Sequence, residues 1–133
     1  MSAYLKYGDI KGDVKEPAHR SWIELTSVGL PFSSPSGLAV NYHTGGKANE
    51  VMVTKGIDQA TPALVQQASA GKPVPAVIDL VRAGGSVTFR IEMSGALISS
   101  YYSTSSNGNA PSEALTLNCA KIEYKSEPGA APR

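Results

Sequence analysis

Few side chains here have the type and spacing that chemistry needs. His19 and His43 are the only histidines. His19 lies in a charged loop, and no third histidine completes a metal-binding set, so a turn role is the plainer reading. His43 sits in a glycine-rich stretch with no cysteine or carboxylate close by, which argues against a metal there. Cys119 is the only cysteine, so there is neither an intramolecular disulfide nor a cysteine-based zinc site. It falls in phase with Leu115 and Leu117, and an inert buried thiol is predicted. Asp9 and Asp13 flank a turn without a calcium-loop pattern, and Asp58 reads as a turn or capping group. Ser99, Ser100 and Ser103 lack a histidine partner in the sequence pattern. Gly84-Gly85 is not followed by Lys-Ser or Lys-Thr, so it signals a hairpin and not a phosphate loop. The prediction is no catalytic, cofactor or metal site, and a chain that is not an enzyme.

The elements that position these residues follow from pattern. Residues 56–71 hold the one clear helix, expected over Thr61–Ala70. Thr61 is the expected N-cap, Pro62 suits the first helical position, and Gly71 can close the helix in a left-handed conformation. Leu64, Val65 and Ala68 form a narrow apolar stripe, which must dock because so short a helix does not stand alone in water. Around it the chain reads as strand: residues 4–10, 21–28, 51–57, 77–82, 87–93, 96–103 and 113–124. In residues 87–93, Val87, Phe89, Ile91 and Met93 point inward while Arg90 and Glu92 point outward. Such alternation implies antiparallel strands with one dry face and one wet face. The expected fold is mainly β: an antiparallel barrel or two-sheet sandwich with one flanking helix.

Residues 29–49 stand apart. They are rich in Gly, Pro and Ser, and too long for a bare connection in a compact domain. Within them Leu38, Val40 and Tyr42 make an apolar strip that predicts an interaction site. Arg90 and Glu92 are expected to add a polar part to that contact.

Composition sets outer bounds. A chain of 133 residues with 41% apolar and 17% charged residues suits one folded domain, expected over residues 1–125, with 126–133 a flexible tail. A net charge of +1 argues against binding nucleic acid through phosphate neutralisation. No apolar run reaches membrane-spanning length, so no membrane insertion is expected. The first residues lack a basic segment followed by an apolar one. The expectation is a chain made in the cytoplasm that leaves the cell, if at all, without a cleaved leader.

The order of certain pieces carries more than any single motif. The chain opens with Tyr4-Leu5-Lys6-Tyr7-Gly8-Asp9-Ile10-Lys11-Gly12-Asp13, followed by His19 and Trp22-Ile23-Glu24-Leu25. Ile57-Asp58-Gln59-Ala60-Thr61-Pro62-Ala63-Leu64 follows, then Gly71, Leu97-Ile98-Ser99-Ser100-Tyr101, Pro111-Ser112-Glu113-Ala114-Leu115-Thr116-Leu117-Asn118 and Lys121-Ile122. Over residues 4–124 this resembles the Hcp family, the haemolysin-coregulated proteins of the bacterial type VI secretion tube. The resemblance implies a β-barrel with a flanking helix, homo-hexameric rings stacked into a hollow tube, and small effectors carried in the lumen. It also implies spike and sheath proteins as partners, secretion from the bacterial cytoplasm, and kinship of shape with phage tail-tube proteins. Two departures stand out: Cys119 occupies a place where the family usually has a large apolar residue, and residues 29–49 lack a long glycine run. The rival reading is a monomeric β-sandwich that binds carbohydrate, with Tyr42, Tyr101 and Tyr102 as its platform.

Overall fold

The structure is a computed structural model, and it describes residues 2–29, 50–82, 87–104 and 111–126. The strands are β1 (Ser2–Tyr7), β2 (Ile23–Leu25), β3 (Ser27–Gly29), β4 (Glu50–Gly56), β5 (Val74–Val81), β6 (Val87–Thr104), β7 (Ser112–Asn118) and β8 (Lys121–Lys125). A single α-helix, α1 (Thr61–Ala70), lies between β4 and β5, and a short 3-10 turn covers Pro17–His19. Every strand pairing is antiparallel. The fold is thus mainly β with one helix, as the alternation predicts.

The strand order is β2-β1-β5-β6-β7-β4-β3, with β8 paired to β6. Two sheets share the 18-residue β6. Its N-terminal half lies between β5 and β8 in the first sheet, and its C-terminal half joins β7, β4 and β3 in the second. Gly95 marks the crossing, with φ of 65°. A Cβ there would meet the Ala120 Cβ at 3.2 Å, so glycine meets both the backbone and the space requirement. The expected barrel is not closed by hydrogen bonds. Among the described residues β2 and β3, the two ends of the paired path, do not pair with each other.

Several expected boundaries move. The strand expected over 21–28 splits in two at Thr26, and the one over 113–124 splits at Cys119 and Ala120. In each case the chain is passing from one sheet to the other, a change that alternation alone does not reveal. Strand β5 begins at Val74 and includes Pro75, which sits at a register shift between Val74 and Ala76. A proline has no N–H to donate, and a shifted register is where a strand tolerates that.

The core fills the space between the sheets. Leu5, Tyr7, Ile23, Ile78, Ile91 and Met93 come from the first sheet, and Val51, Val53, Leu115 and Leu117 from the second. Tyr7 keeps its hydroxyl satisfied by donating to the Ala96 carbonyl at 3.2 Å.

Candidate assembly surface and the clusters that hold it

Two largely buried polar clusters fix the turn around His19 and the entry to α1. The first lies over the outer face of the first sheet. Gly12 packs so close to β2 that a Cβ would sit 2.4 Å from the Trp22 carbonyl oxygen, so only glycine fits. This approach brings the 3-10 turn down onto the sheet. His19 is buried there, its ring 4.9 Å from that of Tyr4 and edge-on to Trp22 at 4.6 Å. Its Nε2 lies 2.8 Å from Asp79 Oδ2 and its Nδ1 2.5 Å from Glu16 Oε1. Asp79 also accepts from Arg90, through Nε at 2.6 Å and Nη2 at 2.8 Å. His19 therefore is a turn residue, as expected, but one whose ring is wholly engaged.

The second cluster sits at one end of the core. Lys55 and Glu113 are inward-facing partners across β4 and β7, with Nζ 3.2 Å from Oε1. Lys55 Nζ also donates to Asp58 Oδ1 at 2.9 Å and to the Gly56 carbonyl at 2.8 Å. Asp58 Oδ1 accepts from Ala60 N–H at 3.0 Å, two residues on, which is the turn role of the two expected for Asp58. Thr61 is not the N-cap. Residue 60 holds that position without a side-chain cap bond, while the Thr61 hydroxyl accepts from Asp58 N–H and donates to Glu113. The hydroxyl serves the buried carboxylate and not a first-turn N–H of the helix.

The helix thus enters tied to β4 and β7. Leu64 is fully buried and Ala68 partly so, one turn apart on the same side. Val65 does not join them. It stands 42% exposed, because one residue's step around the helix carries it off the Leu64 face. Gly71 closes the helix with φ of 65°, and its N–H donates to the Gln67 carbonyl.

The two outer faces differ in chemistry. The first sheet carries a ladder of charges: Arg90 opposite Asp79 and Lys125, and Glu92 opposite Glu123. Glu92 accepts from Lys125 at 3.1 Å. Arg90 and Glu92, expected at a contact between subunits, are both occupied within their own chain. The second sheet's outer face carries mostly hydroxyls and small groups, with Met52 and Tyr102 as exposed large side chains among them. Gly29, Met52, Thr116 and Ser100 form one cross-strand row, and Ser27, Thr54, Ala114 and Tyr102 the next. Thr54 Oγ1 lies 2.6 Å from Ser27 Oγ and 2.7 Å from Thr26 Oγ1, and Ser100 Oγ lies 3.3 Å from Thr116 Oγ1. Among the described residues of this sheet, Glu50 is the only charged side chain not directed into the core.

The edges differ as well. Among the described residues β3 pairs only with β4, and residues 97–104 of β6 pair only with β7. Neither edge carries a charged side chain.

Other predicted sites resolve as follows. Leu38, Val40, Tyr42 and His43 lie outside the described residues, as do Gly84 and Gly85. Cys119 is partly buried, and burial raises its thiol pKa above the ordinary value. Tyr101 and Tyr102 do not share a platform: Tyr102 is 65% exposed, while Tyr101 is partly buried and packs against the core. No group of three or more His, Cys, Asp or Glu able to hold a metal exists among the described residues. No described helix is long and apolar enough to cross a membrane.

Sequence reading missed both clusters, though signals for them exist. Asp79 interrupts the apolar run of Val77, Ile78, Leu80 and Val81. Lys55 falls in phase with Val51 and Val53, and Glu113 with Leu115 and Leu117. A charge at an inward-facing strand position requires a buried partner.

The fold is similar to several solved structures. Hcp2 from Salmonella typhimurium matches with a TM-score of 0.79 and 19% identity, covering 98% of this chain and 90% of that one. Hcp1 from the same organism matches with a TM-score of 0.80 and 18% identity, covering 98% and 89%. The secreted protein Hcp3 from Pseudomonas aeruginosa matches with a TM-score of 0.72 and 15% identity, covering 98% and 93%. No curated protein sequence matches the chain. The family model described as "Type VI secretion system effector, Hcp" matches residues 4–125. The chain belongs to the Hcp family of the type VI secretion system.

Proposed function

We propose that the chain is a structural subunit of the type VI secretion inner tube, with no catalytic role. Six copies form a ring by head-to-tail contacts, and rings stack into a hollow tube that carries small effectors and is itself exported. Family membership carries this reading. The second sheet supplies a physical route to it. Its two uncharged edges, β3 and the C-terminal half of β6, lie at opposite ends of the strand order β6-β7-β4-β3. An edge without a blocking charge is a template for strand addition. Joining β3 of one copy to β6 of the next repeats one rotation, which closes into a ring when the angle allows. One continuous sheet then runs around the ring, with the hydroxyl-lined face on a single side. That face, nearly free of charge, suits the wall of a passage because it offers cargo few strong fixed contacts. The apolar strip of Leu38, Val40 and Tyr42 is proposed to reach a neighbouring subunit or ring. Spike and sheath proteins complete the set of partners.

Light scattering on the purified protein at micromolar concentration tests the reading. A mass of six chains is expected, with rings visible by negative stain. A monomer in native buffer overturns it and returns the carbohydrate-binding alternative.

A further inference from the structure

Met52, 57% exposed, and Tyr102, 65% exposed, are the two exposed large apolar side chains among the described strand residues of the second sheet. Single exposed apolar groups need no explanation by themselves, so what counts is where these two stand. Tyr102 lies on β6, one open edge of the path β6-β7-β4-β3. Met52 lies on β4, one strand in from the other edge, and its partner on the edge strand β3 is Gly29. Gly29 has no side chain, and a Cβ there would come no closer than 3.7 Å to the Met52 carbonyl oxygen. The flank of Met52 is therefore open towards that edge. Within one copy the two side chains are kept apart. The row that holds Tyr102 runs through Ala114 to Thr54, and Met52 stands in the next row beside Thr116.

The next step rests on the ring reading above. In a ring each copy is related to the next by rotation about one axis, so β6 runs in the same sense in every copy. Every pairing along β6-β7-β4-β3 is antiparallel, so β3 runs opposite to β6. A β3 edge therefore meets the β6 edge of the neighbouring copy antiparallel, and residues directly opposite each other share a face. Gly29 and Tyr102 both belong to the outer face.

We propose that Tyr102 of one copy lies over Gly29 of the next and packs against that copy's Met52. An aromatic ring covering an edge glycine from the cross-strand position is a known way to pin a strand pair. The Cα atoms of Tyr102 and Met52 are then two strand spacings apart, about 10 Å, a gap their side chains bridge from either side. Contact between a thioether and an aromatic ring is favourable. Neither copy holds this site alone. The site also sets the register of the seam. A slip of one residue turns the wrong face outward, and a slip of two sets Tyr102 opposite Ser27 and loses Met52.

Cross-linking between copies tests the register. In it Ser27 stands opposite Thr104 across the seam. Within one copy β3 and β6 lie three strand spacings apart, about 14 Å, too far for a disulfide. The pair Ser27→Cys, Thr104→Cys leaves Gly29, Met52 and Tyr102 in place, and is made in Cys119→Ala chains so that no other thiol takes part. After mild oxidation a ladder of linked chains is expected on a denaturing gel without reductant. The pair Ser27→Cys, Ser100→Cys, which is out of register, should give none. Light scattering on dilution tests the contact itself. Tyr102→Ala should raise the concentration at which rings dissociate about tenfold or more, and Tyr102→Phe should stay within about threefold of wild type. Met52→Ala should add little once Tyr102 is alanine, because its partner is already gone. Tyr102 is exposed in the single chain, so its truncation should leave the melt unchanged. Rings that resist dilution equally with Tyr102→Ala overturn the proposal. So does a first pair that fails to link in intact rings, or a second pair that links as well. Wild-type chains that never scatter as a ring overturn the ring reading, and this contact with it.

Discussion

Lys55 and Glu113 stand directly opposite each other in the β4–β7 register, both buried, their charged atoms 3.2 Å apart. Buried pairs of this kind cost desolvation, and their net worth is small unless hydrogen bonds complete them. Here Asp58, Gly56 and Thr61 do so, and all three lie at the entry to α1. The pair thus fixes where the helix meets the second sheet.

Removing one partner should therefore hurt more than removing both. Lys55→Met leaves Glu113 buried without its cation and is expected to cost about 3–5 kcal/mol in urea unfolding. The double variant Lys55→Met, Glu113→Leu should recover most of that loss. A double variant as unstable as the sum of the singles shows that the two residues act independently.

The helix offers a paired test of docking. Leu64→Ala empties a fully buried site and should cost about 2–5 kcal/mol. Val65→Ala, at a position 42% exposed, should stay within about 1 kcal/mol of wild type. Similar losses for the two contradict the placement of Val65 on the outer side.

How much of this was legible in the sequence varies with the kind of signal. The helix Thr61–Ala70 and the burial of Ile91 and Met93 in β6 and of Leu115 and Leu117 in β7 follow from local periodicity, which survives in the fold. The splitting at Thr26 and at Cys119–Ala120 does not, because periodicity says which face is dry but not which sheet a strand joins. Thr61 misled for a related reason. A hydroxyl ahead of a helix is a cap by default, and only the fold shows Glu113 waiting for it 52 residues away. Lys55 and Asp79 were overlooked because a charge in a strand is usually read as its wet face. Here the end of the core and the His19 turn cover those two positions.

Alkali should act on the core through Tyr7. Burial raises its pKa from 10.0 to about 12, because the phenolate cannot be solvated there. Between these values the unfolded chain gives up the proton and the native protein does not, so the unfolded state gains. Stability from this group is complete below pH 10 and is lost as pH climbs towards 12. Tyr7→Phe removes the group and should flatten that part of the pH–stability curve, read by urea midpoints. An unchanged fall in the variant assigns the alkaline loss to other groups.

The route to a ring can be tested at its narrowest point, the end of β3. Gly29 has room for a side chain, since a Cβ there would come no closer than 3.7 Å to the Met52 carbonyl oxygen. A lysine at that edge should leave the monomer's stability within about 1 kcal/mol of wild type. It should also set an unpaired charge against any strand added from a neighbour, as natural edge strands do to stay single. Gly29→Lys is thus expected to melt cooperatively yet run as a monomer. Arg90→Gln lies on the opposite outer face and is expected to keep the ring if it keeps the fold. A Gly29→Lys protein that still scatters as six chains places the subunit contact elsewhere than on β3. Loss of the ring in a folded Arg90→Gln protein moves it to the charged face of the first sheet.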